Sequence, residues 1–171
     1  MNTLVLNALE LAMERSPALS RTLAGTLLRV ASPFNAPLRA NVLTWDPTLC
    51  RLQIPNRRVL HNHLRGVHAG ALVTAGESAA GLMLLRSFPF SRYRLILKDL
   101  TITFQRQART DLVAEASQPQ EEVDRIRAGL DRGEPQVISL ETRISEPSGE
   151  RLSVVRTTWQ VKSWDQVRSR A

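Results

Sequence analysis

The chain has 171 residues, 43% of them hydrophobic and 23% charged, which is typical of one globular domain with its own core. No apolar run approaches the roughly 18 residues of a membrane-spanning helix, which excludes a membrane span. The single cysteine, Cys50, excludes an internal disulfide. The first apolar stretch carries acidic residues and is not preceded by basic ones, so a secretory signal is not expected. Together with the single cysteine, this leads us to expect a cytoplasmic protein.

The net charge of +7 favours an anionic partner, which could be nucleic acid, a membrane surface or a phosphate-bearing small ligand. Acidic residues are interspersed with the arginines, and aromatic residues make up only 5% of the chain. This composition lacks the stacking side chains that bind single-stranded nucleic acid. Specific nucleic-acid recognition is therefore not expected.

The first third of the chain predicts two helices followed by a strand pair. Ser16-Pro17 offers a capping serine and a first-turn proline between the helices, and Pro33 and Pro37 end the helical pattern. The segments are residues 3–14 and 18–30 for the helices, and residues 38–45 and 49–56 for the hairpin strands.

The remainder predicts one long helix, one short surface helix and four strands. The helices cover residues 68–86 and 120–132, and the strands cover residues 92–108, 112–116, 136–145 and 152–164. This order indicates an α+β architecture in which a curved, mostly antiparallel sheet can wrap one helix. We divide the chain into an N-terminal helical extension, residues 1–35, and a domain at residues 36–165.

Residues 61–81 run from a histidine-bearing polar turn into a helix of small residues, with one acid, Glu77, in its middle. Poor solvation among alanine and glycine should raise the pKa of Glu77 toward working pH. The amides of Ala69 and Gly70 begin the helix, where they lack intrahelical partners and lie at the positive end of the helix dipole. This short segment therefore concentrates the candidate catalytic groups.

The segment resembles the hotdog-fold acyl-CoA thioesterases. Their pattern is an Asn, then His-Gly-Gly six residues later, then an acid nine residues beyond the His; it is met by Asn62, by His68-Ala69-Gly70 with Ala69 replacing the first Gly, and by Glu77. Residues 104–109 resemble a strand end of the phenylacetyl-CoA thioesterase-like branch, and the leading helices resemble a branch labelled tetrameric acyl-CoA thioesterase. The resemblance covers roughly residues 36–164 and implies a curved antiparallel sheet wrapped around one long central helix.

Chemistry suggests a role for each residue of the matched pattern. The amides of Ala69 and Gly70 would polarise a thioester carbonyl and stabilise its oxyanion. Glu77 would act as general base for water or as nucleophile. Asn62 would position the water or the carboxylate, and His68 would order the turn rather than transfer protons.

Helix geometry predicts that these groups serve different subunits. His68 and Glu77 are nine residues apart, which places them about 13 Å apart along an ideal helix and on opposite sides of it. One thioester carbonyl cannot contact both in one subunit, so a composite site in a two-fold dimer, or in a tetramer built as a dimer of dimers, is expected. Arg106 and Arg109 are candidates for binding coenzyme A phosphates, with a solvated strand end as the equal alternative.

The leading functional hypothesis is acyl-CoA hydrolysis without metal or redox cofactor, coenzyme A being part of the substrate. A hotdog hydroxyacyl-thioester dehydratase, with His63 and Glu77 as its acid–base pair, remains open, and so does a non-catalytic acyl-CoA binding or sensor protein. His61 and His63 are otherwise expected to be structural, and no zinc site is expected because no cysteine lies near the histidines. Cys50 and the three tryptophans are expected to pack in the core or an interface.

Overall fold

The computed structural model describes residues 16–167, so the helix predicted at residues 3–14 lies outside the described part. Within it, helices and strands occur wherever the sequence predicts them, with ends that shift by a few residues. The helices are α1 (Pro17–Val30), α2 (Ala69–Ser87) and α3 (Gln120–Asp131). The strands are β1 (Asn41–Trp45), β2 (Leu49–Ile54), β3 (Tyr93–Phe104), β4 (Leu112–Ser117), β5 (Gln136–Ser145) and β6 (Arg151–Ser163).

The six strands form one antiparallel sheet in the order β1-β2-β4-β5-β6-β3. Strand β5 alternates strictly between buried and exposed residues, which is the pattern of a sheet with one face on the core. Bulges interrupt three of the five strand pairings. Since each bulge bends and twists its strand, the sheet is curved.

Helix α2 packs on the sheet and contacts all six strands. Its small residues permit this close approach: Ala75, Ala79 and Ala80 are fully buried. At Gly76 there is no room for a side chain, because a Cβ placed there would lie 2.5 Å from Val155 of β6. The polar turn at the start of α2 is thereby held at one end of the sheet.

Helix α1 lies outside this core pair of layers. Ser16 caps it, its Oγ accepting a hydrogen bond from the Leu19 N–H at 3.4 Å, and Pro17 stands in its first turn, both as predicted. The helix contacts β1 and a 3-10 turn at Pro33–Leu38, which the sequence pattern did not indicate. No helix within residues 16–167 has the length and apolar character needed to cross a bilayer.

The expectations for Cys50, Trp45 and Trp159 are confirmed, since all three are buried. The prediction that Trp164 ends the last strand is wrong. Trp164 begins a 3-10 turn, is 45% exposed, and donates its indole N–H to the Phe90 carbonyl at 2.7 Å.

Strand β3 likewise ends before its predicted boundary at residue 108. The Gln105 and Arg106 amides both donate to the Leu152 carbonyl, and this shared acceptor ends the regular ladder with β6. Residues 105–108 therefore continue beyond the strand as irregular chain that borders the start of α2.

Candidate active site

The turn before α2 is closed by the side chain of Asn62. Its Oδ1 accepts hydrogen bonds from the Leu64 N–H at 2.9 Å and the Gly66 N–H at 3.1 Å, while Arg65 between them has the left-handed φ of 60°. The side-chain oxygen is thus committed to the backbone. The Asn62 Nδ2 has no acceptor within residues 16–167, so the amide group remains available as a donor.

His68 is the N-cap of α2. Its Nδ1 accepts a hydrogen bond from the Gly70 N–H at 2.9 Å, and its backbone N–H donates to the Leu60 carbonyl at 2.7 Å. One of the two amides predicted to stabilise an oxyanion is therefore occupied by the imidazole ring. The Ala69 N–H has no acceptor in the part of the chain that the structure describes.

A cavity of about 340 Å³, here called the helix-start cavity, opens beside this turn. Three of the sequence-predicted residues line it: Asn62, Ala69 and Arg106. The turn approaches the chain after β3 closely at Gly66, where a Cβ would lie 2.6 Å from the Gln107 side chain. The remaining lining residues are Val67, Leu72, Phe104, Gln105, Gln107 and Ala108.

Glu77 lines a different cavity, of about 200 Å³, here called the Glu77 cavity. Burial raises the pKa of this half-buried carboxyl above its ordinary value of 4.5. No cation lies within ion-pair distance of it among residues 16–167, so nothing in that range offsets the lost solvation. The other lining residues are Leu27, Leu28, Ala31, Ser32, Asn35, Ser78, Gly81, Leu82, Leu85, Phe90, Leu95 and Trp159.

The protomer thus brings Asn62, Ala69 and Arg106 together and does not bring Glu77 to them. Glu77 is not part of the helix-start cavity, and neither Asn62 nor Ala69 is part of the Glu77 cavity. This division follows from helix geometry, because Ala69 at the start of α2 and Glu77 in its middle are separated along the helix axis.

The two candidate phosphate-binding arginines are exposed and differ in position. Arg106 lines the helix-start cavity and forms an ion pair with Glu150, with 2.5 Å between Nη1 and Oε1. Arg109 lies outside the lining of that cavity and donates two hydrogen bonds to the Gln107 side chain, at 2.8 and 3.1 Å. Only Arg106 is placed to contact a ligand in the helix-start cavity without further movement.

The surroundings of the two remaining histidines differ. His61 Nε2 lies 2.7 Å from Asn56 Oδ1, in a network that continues through the Asn56 N–H to Asp111, while His63 is exposed in the turn. Across residues 16–167, no cluster of three or more histidine, cysteine or acidic side chains could hold a metal ion.

The residues that bury Glu77 include side chains distant in sequence as well as its helix neighbours. Its cavity is walled by Leu27 and Leu28 of α1, Leu95 of β3 and Trp159 of β6, none of which the pattern around Glu77 indicates. The apolar stripe of α1 was the available signal, because such a stripe must be buried against another element.

Solved structures share this fold. A Pseudomonas aeruginosa protein of unknown function, described as a probable thioesterase, is 28% identical over 83% of this chain and 95% of that chain, with a TM-score of 0.75. A Chlorobaculum tepidum protein of unknown function is 13% identical over 86% and 96% of the two chains, with a TM-score of 0.73. A glutamine-to-alanine variant of a P. aeruginosa thioesterase is 16% identical over 81% and 93%, with a TM-score of 0.64.

The chain is therefore an α+β protein similar to the hotdog thioesterases. It belongs to the family described as a domain of unknown function (DUF4442), which matches residues 20–161. No curated protein matches the chain significantly.

Proposed function

We propose that the chain hydrolyses an acyl-CoA thioester to a free acid and coenzyme A, at sites formed between two subunits. The observation that carries this proposal is the division of chemical groups along α2. A carboxyl with a raised pKa opens into one cavity, and hydrogen-bond donors at the helix start open into another. The likeness to proteins described as thioesterases supports the same reaction.

Strand β3 offers the route by which two copies would complete each other's site. It is twelve residues long and lies at the sheet edge, with β6 on one side and no strand on the other within residues 16–167. Leu95, near its start, lines the Glu77 cavity, and Phe104, at its end, lines the helix-start cavity. Antiparallel pairing of two β3 strands would set the start of one beside the end of the other, and so would bring together cavities of different subunits.

In such a site the Ala69 N–H would donate to the thioester carbonyl oxygen. Glu77 of the partner subunit would take a proton from a water molecule, whose oxygen attacks the carbonyl carbon and forms a tetrahedral oxyanion. Collapse of this intermediate breaks the C–S bond and yields the free acid, and the coenzyme A thiolate leaves with the proton held by Glu77. The Gly70 N–H would add a second donor once the His68 ring turns away.

Arg106 would bind a phosphate of coenzyme A. Its guanidinium lines the helix-start cavity and pairs with exposed Glu150, an interaction that costs little to exchange. Like the Glu150 carboxylate, a phosphate presents two oxygens to the guanidinium, and it carries more negative charge. It would therefore compete well with Glu150 for Arg106. Arg109, held by Gln107, is the second candidate.

A non-catalytic acyl-CoA binding protein is the alternative. It is favoured by one observation, the occupied Gly70 amide, because an oxyanion would then find a single donor at the helix start. A binding protein needs the cavities but not the oxyanion donors, so the two functions differ in turnover rather than in affinity.

The test is release of coenzyme A thiol from short, long and aromatic acyl-CoAs, with binding measured in parallel. We expect Glu77→Gln to lower turnover by about a hundredfold or more while ligand binding is retained. Glu121→Gln, an exposed glutamate on α3, is the matched control and should keep wild-type turnover. Binding without thiol release by the wild type would establish the binding protein instead, and hydration of a crotonyl thioester would establish a dehydratase.

A further inference from the structure

We infer that helix α1 sets the size of the acyl group, by forming one wall of the cavity that receives it. This inference rests on the proposed function, since it assigns the Glu77 cavity to the acyl part of the thioester. Leu27 and Leu28 of α1, and Ala31 just after its end, line that cavity together with Glu77 itself. The carboxyl and the apolar wall therefore face the same cavity.

The space exists because α1 packs on the edge of the sheet rather than along α2. Its contacts are chiefly with β1 and the turn at Pro33–Leu38. On the α2 side, Gly81 leaves the space open: a Cβ placed there would lie 3.2 Å from the Trp159 ring and 4.0 Å from Glu77 Oε1. A larger residue at this position would fill the space directly beside the carboxyl.

The lining identifies the chemistry of the occupant. Six of the thirteen lining residues are leucine or phenylalanine, and Glu77 is the sole ionisable one: the six are Leu27, Leu28, Leu82, Leu85, Phe90 and Leu95. A thioester with its carbonyl carbon close to Glu77 would direct its acyl chain along this wall. An apolar group is the occupant that such a wall favours.

The volume limits the length of that group. A protein cavity of about 150 Å³ accommodates a benzene ring. The Glu77 cavity, at about 200 Å³, is somewhat larger and should hold an acyl group of roughly six to eight carbons. The cavity opens to solvent beside Phe90, so the part of a chain of about twelve carbons that exceeds this volume would lie outside it.

The experiment measures the dissociation constants of non-hydrolysable alkyl-CoA thioethers of about four, eight and twelve carbons by calorimetry, since each buried methylene changes affinity about fourfold. We expect the wild type to prefer the medium chain. Leu28→Ala should bind the longest chain about tenfold or more tightly than the wild type does. Leu28→Phe should shift the preference to the shortest chain.

Val30→Ala is the matched control, because Val30 lies on the same helix, is 73% exposed and is absent from the cavity lining. It should leave the chain-length preference unchanged. Thermal unfolding verifies that each variant is folded, and Leu27→Ala replaces Leu28→Ala if the latter does not fold.

The inference is overturned if the variants at Leu28 keep the wild-type preference, since α1 then does not contact the acyl group. Because binding is measured without turnover, a wild type that binds thioethers but releases no thiol from acyl-CoAs would refute the proposed hydrolysis and leave this inference intact. A wild type that binds none of the thioethers would refute both.

Discussion

Glu77 lies where its negative charge is poorly solvated. The half-buried carboxyl lies in a cavity lined mostly by leucine and aromatic side chains, and burial raises its pKa. A carboxylate in such a place is a stronger base than one at the surface, which suits proton abstraction from water. The same burial has a measurable effect on stability.

We expect Glu77→Gln to change the pH dependence of unfolding. A carboxyl whose pKa is raised on folding contributes stability that is fully present below its unfolded pKa and is lost as pH rises through the higher folded pKa. Glutamine cannot ionise and avoids this loss. The free energy of unfolding of the variant, relative to the wild type, should therefore increase as pH rises above about 4 and level off once pH exceeds the folded pKa of Glu77.

Denaturant unfolding of both proteins across this pH range is the measurement. A difference between wild type and variant that stays constant with pH would show that Glu77 is solvated as well in the folded state as in the unfolded one. Glu121→Gln should show no such trend.

Gly76 marks the closest approach between α2 and the sheet. Gly76→Ala should lower the free energy of unfolding by about 1–3 kcal/mol, because its Cβ would overlap Val155. Gly25→Ala, in the middle of α1 with only ordinary contacts around it, is the matched control and should be neutral or stabilising. In a Val155→Ala background, Gly76→Ala should lower the free energy of unfolding by less. An equal loss in both backgrounds would mean that overlap with Val155 is not its cause.

The stability of the first turn of α2 depends on the His68 cap. His68→Ala removes the acceptor of the Gly70 N–H and should cost about 1 kcal/mol of stability. His68→Asn restores an N-cap acceptor and should recover most of that loss. Urea unfolding of the three proteins compares them, and equal stability of wild type and His68→Ala would argue against the cap.

The elements themselves were largely predictable, because each carries a local signal. Ser16-Pro17 marks the start of α1, and alternation along β5 marks a half-buried strand. The position of β3 was not predictable. It pairs with β6, whose residues lie about fifty to seventy positions away in sequence, and pairing between distant strands leaves no trace in the alternation of either.

Only half of the candidate site was predictable from the sequence. The spacing of Asn62, His68 and Glu77 indicated two separated groups, as they are found in the structure. The sequence does not indicate the hydrogen bond from the Gly70 N–H to the His68 ring, because this bond depends on the orientation of the side chain. The wall that α1 builds beside Glu77 depends on tertiary packing, which local patterns do not encode.

A site shared between subunits makes a prediction about mixed dimers. Asn62→Asp keeps the oxygen that closes the turn but removes the free amide donor, and Glu77→Gln removes the base. Each variant alone should be inactive. A mixed dimer would hold one intact site, with the turn from one subunit and Glu77 from the other.

Co-expression with two affinity tags would isolate the mixed dimer, whose thiol release should be about half that of the wild type, since one of two symmetric sites is restored. Activity can return in the mixed dimer only if Asn62 and Glu77 of one site come from different chains. Mixed dimers no more active than either parent would place the whole site within one subunit.

The two edge strands of the sheet, β1 and β3, differ in length and in how far they are covered, and this difference affects the tendency to aggregate. Strand β1 has five residues, is interrupted by a bulge and packs against α1, whereas β3 is long and has no strand on its outer side within residues 16–167. Short, irregular and covered edges resist the addition of further strands. Pairing through β3 would therefore use the one edge suited to strand addition, so that growth would stop at two copies instead of continuing into a fibre.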